Sequence, residues 1–155
     1  MVGGTGAQTM AAWYEEVHSE KKFRLGTRKR SVNNKEFIYL SGVGSLVAED
    51  VVVFDESFAT TRAIADEVGP VAVAMAAVDA TTEYGWFQIY GVATVDAATT
   101  VAADKQLFLT STAGRVDDAD VAGDAIIGMY SMAAAASNSM SVWLNYPHVA
   151  DTAHD

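Results

Sequence analysis

Two stretches of this 155-residue chain are copies of one another, and that constrains the fold more than any motif does. Residues 47–75 laid on residues 101–129 without a gap give ten identities in twenty-nine positions: Val47/Val101, Ala48/Ala102, Asp50/Asp104, Phe54/Phe108, Ser57/Ser111, Ala59/Ala113, Ala65/Ala119, Asp66/Asp120, Gly69/Gly123 and Met75/Met129. In a chain this rich in Ala, Val and Asp, chance would supply about three. Ahead of each copy stands an apolar run closed by glycine, EFIYLSG at 36–42 and YGWFQIYG at 84–91. The pattern predicts a body assembled from two similar β units.

Short β-rich runs alternate with turn signals through the rest of that body, at the spacing of an all-β barrel or sandwich. Strands are expected at Phe37–Leu40, Val51–Phe54, Val71–Met75, Trp86–Tyr90, Gln106–Thr110, Ala125–Tyr130 and Ser141–Asn145. Asp55-Glu56-Ser57, Gly69-Pro70, Gly91, Ala113-Gly114 and Gly123-Asp124 punctuate them. Pro70 should open a strand and Pro147 close one, where a missing N–H costs least. The run Met132–Ala136 allows a helical turn but is too short for a helix. The expected fold is therefore a compact β-barrel or sandwich of seven or eight strands over residues 36–150. An extended N-terminal arm (1–35) with a short helix precedes it, and a tail (151–155) follows.

Half the residues are apolar and 19% are charged, which suits one domain with a real core. The chain has no cysteine, so disulfides, thiolate catalysis and thiolate metal sites are excluded together. MVGGTGAQTM lacks the regions of a signal peptide, and no apolar stretch approaches the length that spans a bilayer. The expectation is a protein made in the cytoplasm, with no membrane partner.

Charge is divided unevenly. Residues 1–35 carry seven basic groups (Lys21, Lys22, Arg24, Arg28, Lys29, Arg30, Lys35) against Glu15, Glu16 and Glu20, for +4. Residues 36–155 carry Arg62, Lys105 and Arg115 against seventeen acidic groups, for −14, and the two parts sum to the net −10. A basic arm precedes an acidic body, so the arm is expected to lie on something acidic. Within it, Met10, Trp13, Tyr14 and Val17 recur at helical spacing, with Thr9 as an N-cap, acidic groups early and Lys21 and Lys22 late. That predicts an amphipathic helix of about three turns, whose Trp13 and Tyr14 either pack on the chain's own body or dock on a neighbour. RLGTRKRSVNN reads as a basic loop. No aromatic interleaving accompanies it and the body would repel phosphate, so no nucleic-acid partner is expected.

Motifs for chemistry are absent. The sequence has no Walker-type loop, no GxSxG and no HExxH, and its histidines are His18, His148 and His154. The tail HVADTAHD offers His148, Asp151, His154 and Asp155, but a terminus is a poor frame for metal ligands. DDADVAGD at 117–124 has Asp118, Asp120, Gly123 and Asp124 in the order of a calcium loop, yet Ala122 and Met129 stand where oxygen ligands are needed, so a solvated acidic turn is the better reading. The adjacent carboxylates Asp117 and Asp118 point to different sides and make no catalytic pair. No enzyme activity, cofactor or metal is expected.

The aromatic run is more telling. In YGWFQIYG, alternation places Trp86, Gln88 and Tyr90 on one face and Phe87 and Ile89 on the other, so both faces carry large apolar groups. One face should meet the core and the other a partner, which makes Trp86, Tyr90 and Trp143 candidates for an oligomer interface. The same exposed rings, with Tyr84, would also serve a glycan-binding platform.

The succession LGTRKR, FIYLSGVGSLVAEDVVVFDE, VGPVAVAMAAVDATTEYGWFQIYGVATV, AADKQLFLTSTAGRVD, IIGMYSM and SVWLNYPHV resembles the head decoration, or capsid-cement, proteins of tailed double-stranded DNA bacteriophages. The resemblance spans residues 24–149, and YGWFQIYG and VWLNYPHV are its most specific parts. It implies a β-rich structural protein on the outer surface of the virion head, commonly a homotrimer, that binds the major capsid protein and cements neighbouring capsomers against internal DNA pressure. The arm before residue 24 lies outside the resemblance. From its chemistry, Trp13, Tyr14 and Val17 are expected as apolar anchors on the capsid, and Lys21, Lys22, Arg24, Arg28, Lys29 and Arg30 as the electrostatic contact. The alternative is a virion-surface module that binds host glycans through Trp86, Tyr84 or Trp143.

Overall fold

The structure, a computed structural model, describes residues 12–150. Its eleven strands form one antiparallel sheet: β1 (Val17–His18), β2 (Arg28–Arg30), β3 (Glu36–Ser41), β4 (Val51–Phe54), β5 (Thr60–Arg62), β6 (Gly69–Ala74), β7 (Tyr84–Asp96), β8 (Gln106–Leu109), β9 (Val116–Asp117), β10 (Ala125–Ser131) and β11 (Ser139–Val149). The main path runs β2-β3-β7-β6-β11-β10-β8-β9, with β4 and β5 branching from β6 and β1 from β7. The fold is all-β, but where a barrel or sandwich was expected the strands form one sheet that is not closed into a barrel. Its path ends on β2 and β9, and the long strands change partners instead of closing a ring. β7 pairs with β3 along its first half and with β11 along its second, and β11 ends against both β10 and β6.

The repeated segments adopt one pairing pattern. In residues 47–75, β4 lies antiparallel between β5 and β6; in residues 101–129, β8 lies antiparallel between β9 and the start of β10. Gly69 and Gly123, identical in the two copies, both take positive φ, Gly69 as the first residue of the third strand and Gly123 just before it. The third strand of each unit then pairs with the strand that follows it, β6 with β7 and β10 with β11.

Two apolar cores flank a shared wall. Val51, Val53, Val71 and Val73 join the core built with β8–β11, while Val52, Phe54, Ala72 and Ala74 join the core built with β3 and the first half of β7. Strands β4 and β6 are thus buried on both faces, which is why VVVF and VAVA are continuous apolar runs. Burial of some thirty apolar side chains, at about 1.5–3 kcal/mol for each large one, is the main favourable term. Two glycines make the bends. Gly91 (φ +98) sits where β7 changes partners, and Gly128 (φ +86) sits at a bulge of β10 where a Cβ would lie 2.7 Å from the carbonyl oxygen of Asn145. The side-chain amide of Gln88 donates to the carbonyls of Tyr90 (3.0 Å) and Val92 (2.9 Å), holding the bend in β7 together.

Several expectations are corrected. Among the described residues, the segment predicted as a helix holds a 3₁₀ turn, Trp13–Glu15, followed by extended backbone from Glu16 into β1. A three-turn helix has little intrinsic stability, and stacking both Trp13 and Tyr14 on the sheet outweighs it. Thr9 and Met10, and the tail residues Asp151, His154 and Asp155, lie outside the described residues. The basic loop contains a strand, β2, whose partner is β3. Met132–Ala136 holds no helical turn and leads into a bridge between Ala136 and Ser139. Pro147 does not close β11 but sits inside it, beside the positive-φ residue Tyr146, where the pairing with β10 slips.

Candidate functional site

The outer face of β3, β7 and β11 carries an unusual density of rings, and the chain treats its two halves differently. Along the first half of β7, Phe37, Tyr39 and Trp86 form a third apolar cluster, on the side of the sheet away from both cores. The segment from Ala12 to Arg30 straps across it. Trp13 meets Trp86 edge-on at 5.3 Å and Phe37 at 5.4 Å, Tyr14 stacks on Phe37 at 4.4 Å, and Phe23 packs on Tyr39 and Trp86. Lys29 lies over the Trp13 ring at 4.3 Å and Lys21 over Tyr84 at 5.8 Å. Tyr39 Oη accepts from the backbone N–H of Lys22 (3.2 Å) and shares a 2.7 Å hydrogen bond with His18 Nδ1. Burial disfavours the phenolate and pushes the Tyr39 pKa up.

Along the second half the same face is open. Tyr130, Trp143 and Val92 face one another in a row across β10, β11 and β7, because Val142 and Leu144 turn inward and leave Trp143 outward. Tyr90 joins the row, 5.3 Å from Trp143 and 5.3 Å from Tyr146. Val92 is 40% exposed, Tyr130 46% and Tyr146 41%, against 2% for Trp86. Two cations of β2 stand at the border, Arg30 over Tyr90 at 5.5 Å and Arg28 over Tyr146 at 5.9 Å. Glu36 bridges them, 3.1 Å from Arg30 and 3.8 Å from Arg28, and accepts the Tyr146 O–H at 2.8 Å. That hydrogen bond is the first reason the Tyr146 pKa is raised.

This geometry revises the residues expected to act. The half-buried rings of Trp13 and Tyr14 pack on the chain's own sheet, the first of the two placements the sequence allowed them; Val17 is exposed. Trp86 is 2% exposed, beneath Trp13 and Phe23 of the strap. The cover expected from a partner over the first half of β7 is the chain's own arm. Tyr90 and Trp143, half-buried, do sit together on the open half. Lys21, Lys22, Arg24, Arg28, Lys29 and Arg30 are all exposed; Arg28 and Arg30 stand beside the open half, while Lys21 and Lys29 lie over rings of the strapped half. Val92 and Tyr130 escaped the sequence reading; the in-out alternation of IIGMYSM against SVWLNY would have paired Tyr130 with Trp143.

Elsewhere, an open groove of about 510 Å³ is lined by Phe54, Phe58, Val68 and Pro70, with Asp55 and Glu67 beside them held in turn hydrogen bonds. Asp118 and Asp124 of the acidic run accept backbone N–H groups of Ala102 and Asp66. Among the described residues no three His, Asp or Glu side chains converge as metal ligands. Compared with protein-family models, curated proteins and solved structures, the chain matches none.

Proposed function

We propose that this chain is a structural virion protein that adds to the outer surface of a tailed-phage head, as trimers, and ties neighbouring capsomers together. One observation supports the reading beyond the sequence resemblance: four of the six exposed cations of residues 21–30, Lys21, Arg28, Lys29 and Arg30, lie over aromatic rings, while residues 36–155 carry −14. Such a molecule is polarised. The division is along the chain: its basic, aromatic segment suits an acidic protein surface, and the acidity of the remainder disfavours DNA and aggregation.

The mechanism needs no bond chemistry. A protein that binds only the assembled lattice stabilises it by its binding free energy, repeated over many equivalent sites. Complementary charge would speed and orient attachment, and apolar contact would hold it. Cosedimentation with expanded, undecorated heads tests the reading: saturable uptake is expected, and no uptake at any protein concentration would overturn it.

A further inference from the structure

We infer that a cavity between the strap and the open half of β7 is a binding site for an alkylammonium group. The cavity, of about 310 Å³, has Glu15 of the strap, Lys35, Glu49, Met75, Gln88 and Val92 in its lining. The inference goes beyond the proposed function and stands without it, since it names the group that binds and not the molecule that carries it.

The buried amide of Gln88 is the first observation. Its Nε2 donates to the carbonyls of Tyr90 and Val92, which fixes the end of the amide that is oxygen, and among the described residues nothing donates to Oε1. Gln88 is 0% exposed, so this acceptor carries its full desolvation penalty until a donor arrives. The charges of the lining say what brings the donor. Glu15 and Glu49 each give one carboxylate oxygen to the chain itself, to the Ala12 N–H and the Ser139 O–H, both at 3.2 Å, and the second oxygen of each has no partner among the described residues. Lys35 pairs with neither of them, and the three groups sum to −1. Two carboxylates and an amide oxygen are three acceptors, and a primary ammonium has three N–H donors and no acceptor. A neutral amide N–H would answer Oε1 alone and leave the charge uncompensated. Met75 and Val92 supply apolar contact for an alkyl stem. Oε1 is sealed from solvent, so the ammonium reaches it as Met75 or Lys35, half-buried and unbranched side chains of the lining, turns aside.

The test titrates n-butylammonium into the full-length protein at low salt and follows the side-chain amide resonances of Gln88, with tetramethylammonium, which has the charge but no N–H, as the control. Saturable binding that moves those resonances is expected, at least about tenfold tighter for n-butylammonium. A Glu15→Gln and Glu49→Gln protein, which keeps the shape of both side chains, should bind about tenfold more weakly or worse, and Lys35→Met should bind more tightly. No saturable binding, equal affinity for tetramethylammonium, or unchanged affinity in the double variant would overturn the inference. Binding by Lys35→Met but not by the wild-type protein would assign the cavity to the chain's own lysine and overturn it too. A free amine and a lysine of a neighbouring protein present the same group. Displacement of the protein from expanded heads by n-butylammonium, but not by tetramethylammonium, would support the site with a lysine as its ligand; head binding that ignores both, with the amine still bound, would support it with a free amine. Heads that take up no protein would overturn the decoration reading and leave this inference standing.

Discussion

Strand β7 presents large side chains along one outer face, and its two ends have opposite fates. At the Tyr84 end the strap brings Trp13, Tyr14 and Phe23 down onto Phe37, Tyr39 and Trp86; at the Asp96 end Val92 and Tyr130 are exposed and Tyr90 and Trp143 half-buried. The covering arm is held at both ends by backbone pairing, β1 on β7 and Gly26 to Arg30 on β3, and between them by rings and cations. The difference teaches that the composition of a strand sets how much cover it needs, and that a neighbouring segment decides whether the cover is internal.

If the first half belongs to the folding core and the second does not, substitutions should separate them. The largest effect is expected from Trp86→Ala, which empties a buried cluster and should cost about 3–5 kcal/mol in denaturant unfolding. Removing residues 1–25 uncovers Phe37, Tyr39 and Trp86 together; we expect a loss of about 2–4 kcal/mol and a rise in binding of an apolar fluorescent dye. Unchanged stability in that truncation would make the strap an ornament and remove the contrast.

Alkali should act on the strapped half first. The raised Tyr39 pKa means the folded state favours the neutral phenol, so its contribution is complete below the ordinary tyrosine value of about 10. It is lost as pH rises through that value toward the folded pKa, because the unfolded chain ionises earlier. Tyr39→Phe should flatten the decline of stability above about pH 10, read from unfolding midpoints. Tyr146→Phe should alter it far less, since that hydroxyl is near solvent even though Glu36 raises its pKa as well. Lys29→Ala removes a cation over Trp13 and is expected to cost about 0.5–1 kcal/mol. The smallest effect belongs to Val92→Thr on the open half, where the side chain is 40% exposed, within about 0.5 kcal/mol of wild type.

Much of this architecture was legible in the sequence, and the misses have physical causes. The seven longer strands are readable because each is an apolar or alternating run bounded by turn residues. β1, β2, β5 and β9 are two or three residues long, and Arg28–Arg30 has no apolar residue, so pairing alone makes it a strand. The spacing of Trp13, Tyr14 and Val17 fits a helix face, but adjacent rings can also lie side by side on a sheet, and tertiary contact chose the second. YGWFQIYG announces that both of its faces need cover, which holds for Trp86; that the cover is the chain's own Trp13 depends on a contact across more than seventy residues. The cations of the candidate site were legible as charge. Their place beside Tyr90 and Tyr146 needed the β2–β3 pairing that brings Arg28 and Arg30 alongside β7.

Oxidative footprinting of the wild-type protein, and of the protein without residues 1–25, tests the division of the outer face most directly. In the wild-type protein Tyr130 and Tyr146 should oxidise readily while Trp86 is spared; without residues 1–25 Trp86 should become reactive. Trp86 as reactive as Tyr130 in the wild-type protein, or still spared in the truncated one, would contradict the account.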